Sequence, residues 1–224
     1  MVITLAPPRL PVKSTYLPQL RCHAHVYVDT VGVWLTAGQR HHPKYKGLLR
    51  KLYDANQRPD MGSKRRLIET PSDRGTLVFI HQPTPEAVAI LARYGLLLNR
   101  VHLAVDMAPD DAARVCRMVQ LKWRGQGQQK VVENGIYWSP AATSPDPRGN
   151  KKPRTRNLVY YDDRPSKATG EPCGHLEFRF NRFKATKAVG LHNPAAMLNG
   201  SFDVEQFLAK QLSVGSFGNK LVTF

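Results

Sequence analysis

The chain carries only three cysteines, Cys22, Cys116 and Cys173, and none of them forms a Cys-x-x-Cys pair. That pattern argues against a disulfide framework or a thiolate zinc site and fits a reducing compartment, so a cytoplasmic protein is expected. Long apolar runs are missing too. The longest, Ala87 to Leu98, is interrupted by Arg93 and is too short to span a bilayer, so no membrane association is expected. The opening Met1-Val-Ile-Thr-Leu-Ala-Pro-Pro8 has no charged start and its apolar run stops at Pro7, unlike a secretory leader. Gly125-Gln-Gly127 is followed by Gln128 rather than Lys-Ser/Thr, so it is not a phosphate-binding glycine loop. No serine or cysteine nucleophile motif is seen either.

Acidic residues are the other scarce class: 17 Asp and Glu stand against 33 Lys and Arg, a net charge of +16 over 224 residues. Phosphates are the natural counter-charge, because neutralising them releases condensed counterions whatever the base sequence. Hydrophobic content of 42% speaks for a folded chain rather than a disordered basic tail. A nucleic acid, single-stranded or duplex, is therefore the expected partner, with a homodimer left open.

Four prolines in residues 1–20 (Pro7, Pro8, Pro11, Pro18) predict an irregular arm, leaving residues 21–224 as one domain. From Arg21 to Thr36 polar and apolar side chains alternate, as in a half-buried strand. The apolar parity switches near Thr30–Gly32, which predicts a bulge or bend there. Residues 37–70 are basic and turn-rich and read as an exposed insertion. Thr76–His81 reads as a strand. Thr84, Pro85 and Glu86 then open a helix that Gly95 closes. Arg100–Met107 is the next strand, and a helix follows from Pro109–Asp111. Lys130–Trp138, Asn157–Asp162 and His175–Phe180 read as strands, and short helices are expected at 194–198 and 203–212. The fold class is α+β, a central, mainly antiparallel sheet with helices packed on one face.

Three strands carry groups able to do chemistry: Val101-His-Leu-Ala-Val-Asp106, Val159-Tyr-Tyr-Asp-Asp163 and His175-Leu-Glu-Phe-Arg-Phe180. The two-residue repeat puts His102 with Asp106, and His175 with Glu177 and Arg179, on common faces. If the strands are neighbours, Asp106, Glu177 and Asp162 or Asp163 converge as oxygen ligands for Mg²⁺ or Mn²⁺; otherwise they are solvent-facing acids paired with arginines. Tyr160 and Tyr161 follow the basic run Lys151, Lys152, Arg154 and Arg156 and are either ordinary strand residues or nucleophiles toward a phosphodiester. His23-Ala-His25 sets two imidazoles on one strand face, to fill it or to ligate a metal.

In order along the chain, Leu98-Asn-Arg-Val-His-Leu-Ala-Val-Asp106, Gly135-Ile-Tyr-Trp138 with Asn157-Leu-Val-Tyr-Tyr-Asp162, and Gly174-His-Leu-Glu-Phe-Arg-Phe180 resemble the strand motifs of rolling-circle replication initiators. These are the filamentous-phage gene II type and related plasmid initiator proteins. The resemblance covers about residues 75–200, with Asp29-Thr-Val as a weaker echo. It implies RRM-like halves and a plasmid or phage endonuclease in DNA replication that nicks one strand, stays attached through tyrosine and leaves a 3′-OH. Carried over by position, Asp106 and Glu177 are metal ligands, with Asp162 and His102 beside them. Tyr161 is then the nucleophile, Tyr160 the second choice, and Arg179 lies along the DNA with the basic run.

Two positions depart from the pattern. His102 stands where the family strand has its first acid, and Asn157 stands where some members place a tyrosine. A non-catalytic DNA-binding protein on the same fold is the alternative they support. A third reading is RNA binding, with Tyr27, Tyr160 and Phe178 as stacking platforms.

Overall fold

A computed structural model describes residues 13–17, 21–57, 67–123, 127–132, 135–140, 156–167, 169–199, 202 and 206–207. Its elements are those of an α+β protein built on a mainly antiparallel sheet. The alternation after Arg21 becomes one 15-residue strand, β2 (Cys22–Thr36), preceded by β1 (Lys13–Leu17) inside the proline-rich arm. β2 changes partner along its length. Its first part pairs with β1, Cys22↔Leu17 to Val26↔Lys13, and its last with β4 (Gly75–His81), Thr30↔His81 to Thr36↔Gly75. The parity switch seen in the sequence is present in the burial: Ala24 and Val26 are buried, then Val31, Val33 and Leu35.

Among the described residues nine strands form the sheet. With β3 (Leu67–Ser72), β5 (Leu98–Met107), β6 (Gly127–Val132), β7 (Gly135–Pro140), β8 (Arg156–Pro165) and β9 (Pro172–Phe180), the order is β3-β4-β2-β5-β9-β8-β7-β6, with β1 on β2. By contact density the chain divides into two compact units, residues 1–11, 28–102 and 182–202, and residues 12–27, 103–181 and 203–224.

In the first unit, residues 37–57 are helical rather than the turn-rich insertion expected. Thr36 and Gln39 form a reciprocal capping box, so β2 runs directly into α1 (Ala37–His41). A 3₁₀ turn, Pro43–Tyr45, and Gly47 at φ 73° lead into α2 (Leu48–Ala55), whose Leu48, Leu52 and Ala55 are buried. The start of α3 (Pro85–Arg93) follows its sequence signals. Thr84 Oγ1 accepts from Ala87 N–H and donates to the Ala55 carbonyl, tying the end of α2 to the start of α3. α3 packs on α2 and on α6 (Pro194–Leu198). A further helix, α5 (Phe183–Ala188), was not expected. Thr186 anchors it by donating to the Leu98 carbonyl.

In the second unit α4 (Pro109–Trp123) packs on β8 and β9. A Cβ at Gly174 would collide with Ala112 of this helix, so the Gly174 face of β9 is helix-covered and needs glycine at that approach. The expected strand Lys130–Trp138 is instead an antiparallel pair, β6 with β7, in register from Gly127↔Pro140 to Val132↔Gly135. β8 pairs with β9 from Arg156↔Phe180 to Tyr161↔His175, then resumes at Arg164↔Cys173. Asp162 and Asp163 thus oppose Gly174 alone, a bulge that accommodates two acids in a strand. Phe207 packs edge-on against Phe178 and Phe180; the rest of the expected 203–212 helix, apart from Gln206, lies outside the described residues. Among the described residues no helix is long and apolar enough to cross a membrane.

Candidate functional site

β2, β5 and β9 are consecutive in the sheet, and each supplies one member of a ligand group. Asp29, His102 and Glu177 each present a ligand atom, all within 4.8 Å of one another. Asp29 and Glu177 are buried, and His102 is partly exposed. Two carboxylates and an imidazole brought this close, in a chain short of acids, form a donor set that can hold a metal ion.

The surroundings fix these side chains. The Thr30 hydroxyl donates to Asp29 Oδ2 at 3.0 Å, so the 3.0 Å contact of Thr30 Oγ1 with His81 Nδ1 has the imidazole as donor. Gln82, in the left-handed region at φ 46°, donates its N–H to the Asp29 carbonyl at 2.6 Å. On β9, Arg179 donates to Glu177 Oε2 at 2.6 Å and to Tyr161 Oη at 2.9 Å. Burial lowers the pKa of this guanidinium, but the Glu177 hydrogen bond and charge, with the Tyr161 oxygen, outweigh it and hold Arg179 firmly cationic.

Asp106 has a different setting from the one expected. It is almost wholly buried and accepts from Tyr27 Oη at 3.0 Å, Ser166 Oγ at 2.6 Å and His175 Nδ1 at 2.5 Å. Burial alone would raise its pKa; the bonds from His175, Ser166 and Tyr27 outweigh that and hold the carboxyl below the ordinary range. Three donors hold the carboxylate that the sequence pattern offered to a metal, and the ligand group has Asp29 as its third member. Asp29 appeared in the sequence only as a polar-face residue and the weak Asp29-Thr-Val echo. His175 Nε2 stands 4.0 Å from Glu177 Oε2, so the buried Asp106 network also positions a neighbour of the ligand group.

The two tyrosines lie on opposite faces of β8. Tyr160 is opposite Leu176, on the face that meets α4, and is buried there. Tyr161 is opposite His175, with its ring 5.9 Å from the imidazole and its oxygen on Arg179. Tyr161 is itself only 4% exposed, whereas the Arg179 side chain is 23% exposed. Asn157 is paired opposite Arg179. Asp162 and Arg156 are placed on β8 by their backbone. Lys151, Lys152 and Arg154 lie outside the described residues. His23 and His25 line a cavity of ≈ 550 Å³ with Asp106, Ser166 and Cys173, and neither belongs to the ligand group. Tyr27, Tyr160 and Phe178 are all buried, so none presents a ring face for a base to stack on.

Compared with protein-family models, curated proteins and solved structures, the chain matches none.

Proposed function

We propose that this chain is a DNA nicking and joining protein of the rolling-circle initiator kind, with Tyr161 as nucleophile and Asp29, His102 and Glu177 as the metal ligands. The observation that carries the reading is one guanidinium shared by two groups: Arg179 bonds both the Tyr161 oxygen and a carboxylate of the ligand group. A cation held there would polarise the scissile phosphate, and the donor set suits Mg²⁺ or Mn²⁺, the imidazole favouring Mn²⁺.

The protein's own groups account for the rest. Tyr161 gives up its phenol proton and its oxygen bonds to phosphorus. The bond from phosphorus to the 3′ oxygen breaks, and that oxygen takes a proton and leaves as a 3′-OH. Joining is the reverse. Arg179 stabilises negative charge on the phenol oxygen and, being partly exposed, is the group on this strand face that meets the incoming phosphate. Net charge +16, with Lys151, Lys152, Arg154 and Arg156 just before β8, holds the DNA strand. Cys22, Cys116 and Cys173 are buried and form no disulfide.

A second, non-catalytic DNA-binding reading is favoured by the burial of Tyr161. The two separate on a denaturing gel after incubation with supercoiled plasmid and short single strands, in Mn²⁺ or in chelator. The nicking reading expects a Mn²⁺-dependent covalent adduct that Tyr161→Phe abolishes and Tyr160→Phe keeps. Binding without an adduct on every substrate, the cognate origin included, leaves the non-catalytic reading.

A further inference from the structure

The helical stretch after β2 builds a second feature, remote in sequence from Tyr161. Between Ala37 and Gln57 there are five Lys or Arg (Arg40, Lys44, Lys46, Arg50, Lys51) and one acid, Asp54. Asp54 is matched by Arg50 at 3.9 Å on the next turn of α2. Lys44, Lys51, Arg93 and Tyr94 line a cleft of ≈ 650 Å³ that also meets Glu86 and Asp54. That volume falls in the range of about 300–1,000 Å³ typical of small-ligand sites.

Tyr94 lines this cleft, and Tyr45 packs beside it. The rings of Tyr45 and Tyr94 are 5.9 Å apart, tilted by 39°. Lys44 Nζ sits 5.6 Å from the centre of the Tyr45 ring, and Lys51 Nζ 5.5 Å from that of Tyr94, with a 2.9 Å bond to the Tyr94 oxygen. Unlike the buried Tyr27, Tyr160 and Phe178, both tyrosines are partly exposed. Cations beside partly open aromatic faces supply the two interactions a single strand needs: charge for the phosphates and a ring for an unstacked base. Duplex DNA keeps its bases stacked and would use only the charges.

We propose that the Lys44–Lys51–Arg93 cleft, with Tyr45 and Tyr94, is a binding site for single-stranded DNA. The three cations meet phosphates and the tyrosine pair stacks on a base. The choice of DNA over RNA rests on the nicking reading; the interactions themselves do not.

The test is fluorescence anisotropy with a labelled oligo-dT strand across a salt series, on the full chain. Lys44→Glu/Lys51→Glu alters exposed positions. It is expected to weaken binding at least tenfold and to flatten the salt dependence by roughly 0.7 in log–log slope for each phosphate no longer neutralised. Tyr94→Ala is expected to cost about tenfold and Tyr94→Phe about twofold or less, the signature of stacking. Unchanged affinity and slope in the charge variant, with melting temperature retained, overturn the site. Equal competition by RNA of the same sequence overturns the DNA assignment. A covalent adduct at Tyr161 reads the nicking proposal separately, so either idea can fail alone.

Discussion

Asp106 and Glu177 are both buried acids on neighbouring strands of a strongly basic protein, yet their surroundings differ in kind. Asp106 accepts from three side chains, two of them neutral hydroxyls. Glu177 accepts from the Arg179 guanidinium and lies with Asp29 and His102 in the ligand group. A buried carboxylate is therefore no sign of a metal in itself. What separates the two is whether the carboxylate is the shared acceptor of a hydrogen-bond network or lies among other ligand atoms.

The comparison breaks most readily at Asp106. Asp106→Ala leaves the buried Tyr27, Ser166 and His175 without their common acceptor, and it should cost about 3 kcal/mol or more in denaturant unfolding. Glu177→Gln keeps an acceptor for Arg179 and in chelator should cost only about 1 kcal/mol. A larger loss at Glu177 than at Asp106 would reverse the assignment of roles.

Metal sharpens the same contrast. At about a hundredfold excess over its dissociation constant, Mn²⁺ should stabilise the wild-type protein by about 2.7 kcal/mol, read as a shift in Tm. Glu177→Gln should remove that shift, and Asp106→Asn should retain it. A shift that survives Glu177→Gln would place the ion elsewhere.

Acid gives the smallest effect. The folded Asp106 carboxyl lies below its unfolded value, so its contribution is complete above about pH 4 and is lost as the pH falls through the folded pKa. Wild-type stability should drop in that window, and Asp106→Asn, less stable at neutral pH, should show a shallower drop. Parallel curves for the two proteins would mean that Asp106 does not carry the dependence.

Much of this layout was legible in the sequence. The cap at Thr84-Pro85, the glycine stop at Gly95 and the strands around Val101 and His175 rest on local chemistry, and local chemistry is what one chain displays. Alternation also put His175, Glu177 and Arg179 on one face. α2 was missed because Arg50 and Lys51 interrupt the run of Leu48, Leu52 and Ala55, and the basic stretch reads as loop. The choice between Asp29 and Asp106 was out of reach for a different reason. Parity says which face a side chain takes, but strand neighbours are set by contacts between residues far apart, and Asp29 and Glu177 are separated by most of the chain. The bulge at Asp162–Asp163 was hidden likewise, since it exists only relative to β9.

The change of partner along β2 has a kinetic consequence. Its first part closes on β1 across a short connection, Leu17 to Cys22, whereas its last part waits for β4, with Thr36 joined to Gly75. Loop-closure entropy favours the first pairing over the second, so β2 is expected to zip in two stages, with amide protection appearing at Cys22–Val26 before Thr30–Thr36 in pulse-labelled refolding. Asp29 lies at the junction, between Val26 and Thr30, so the strand segment that carries it is expected to be completed in the later stage.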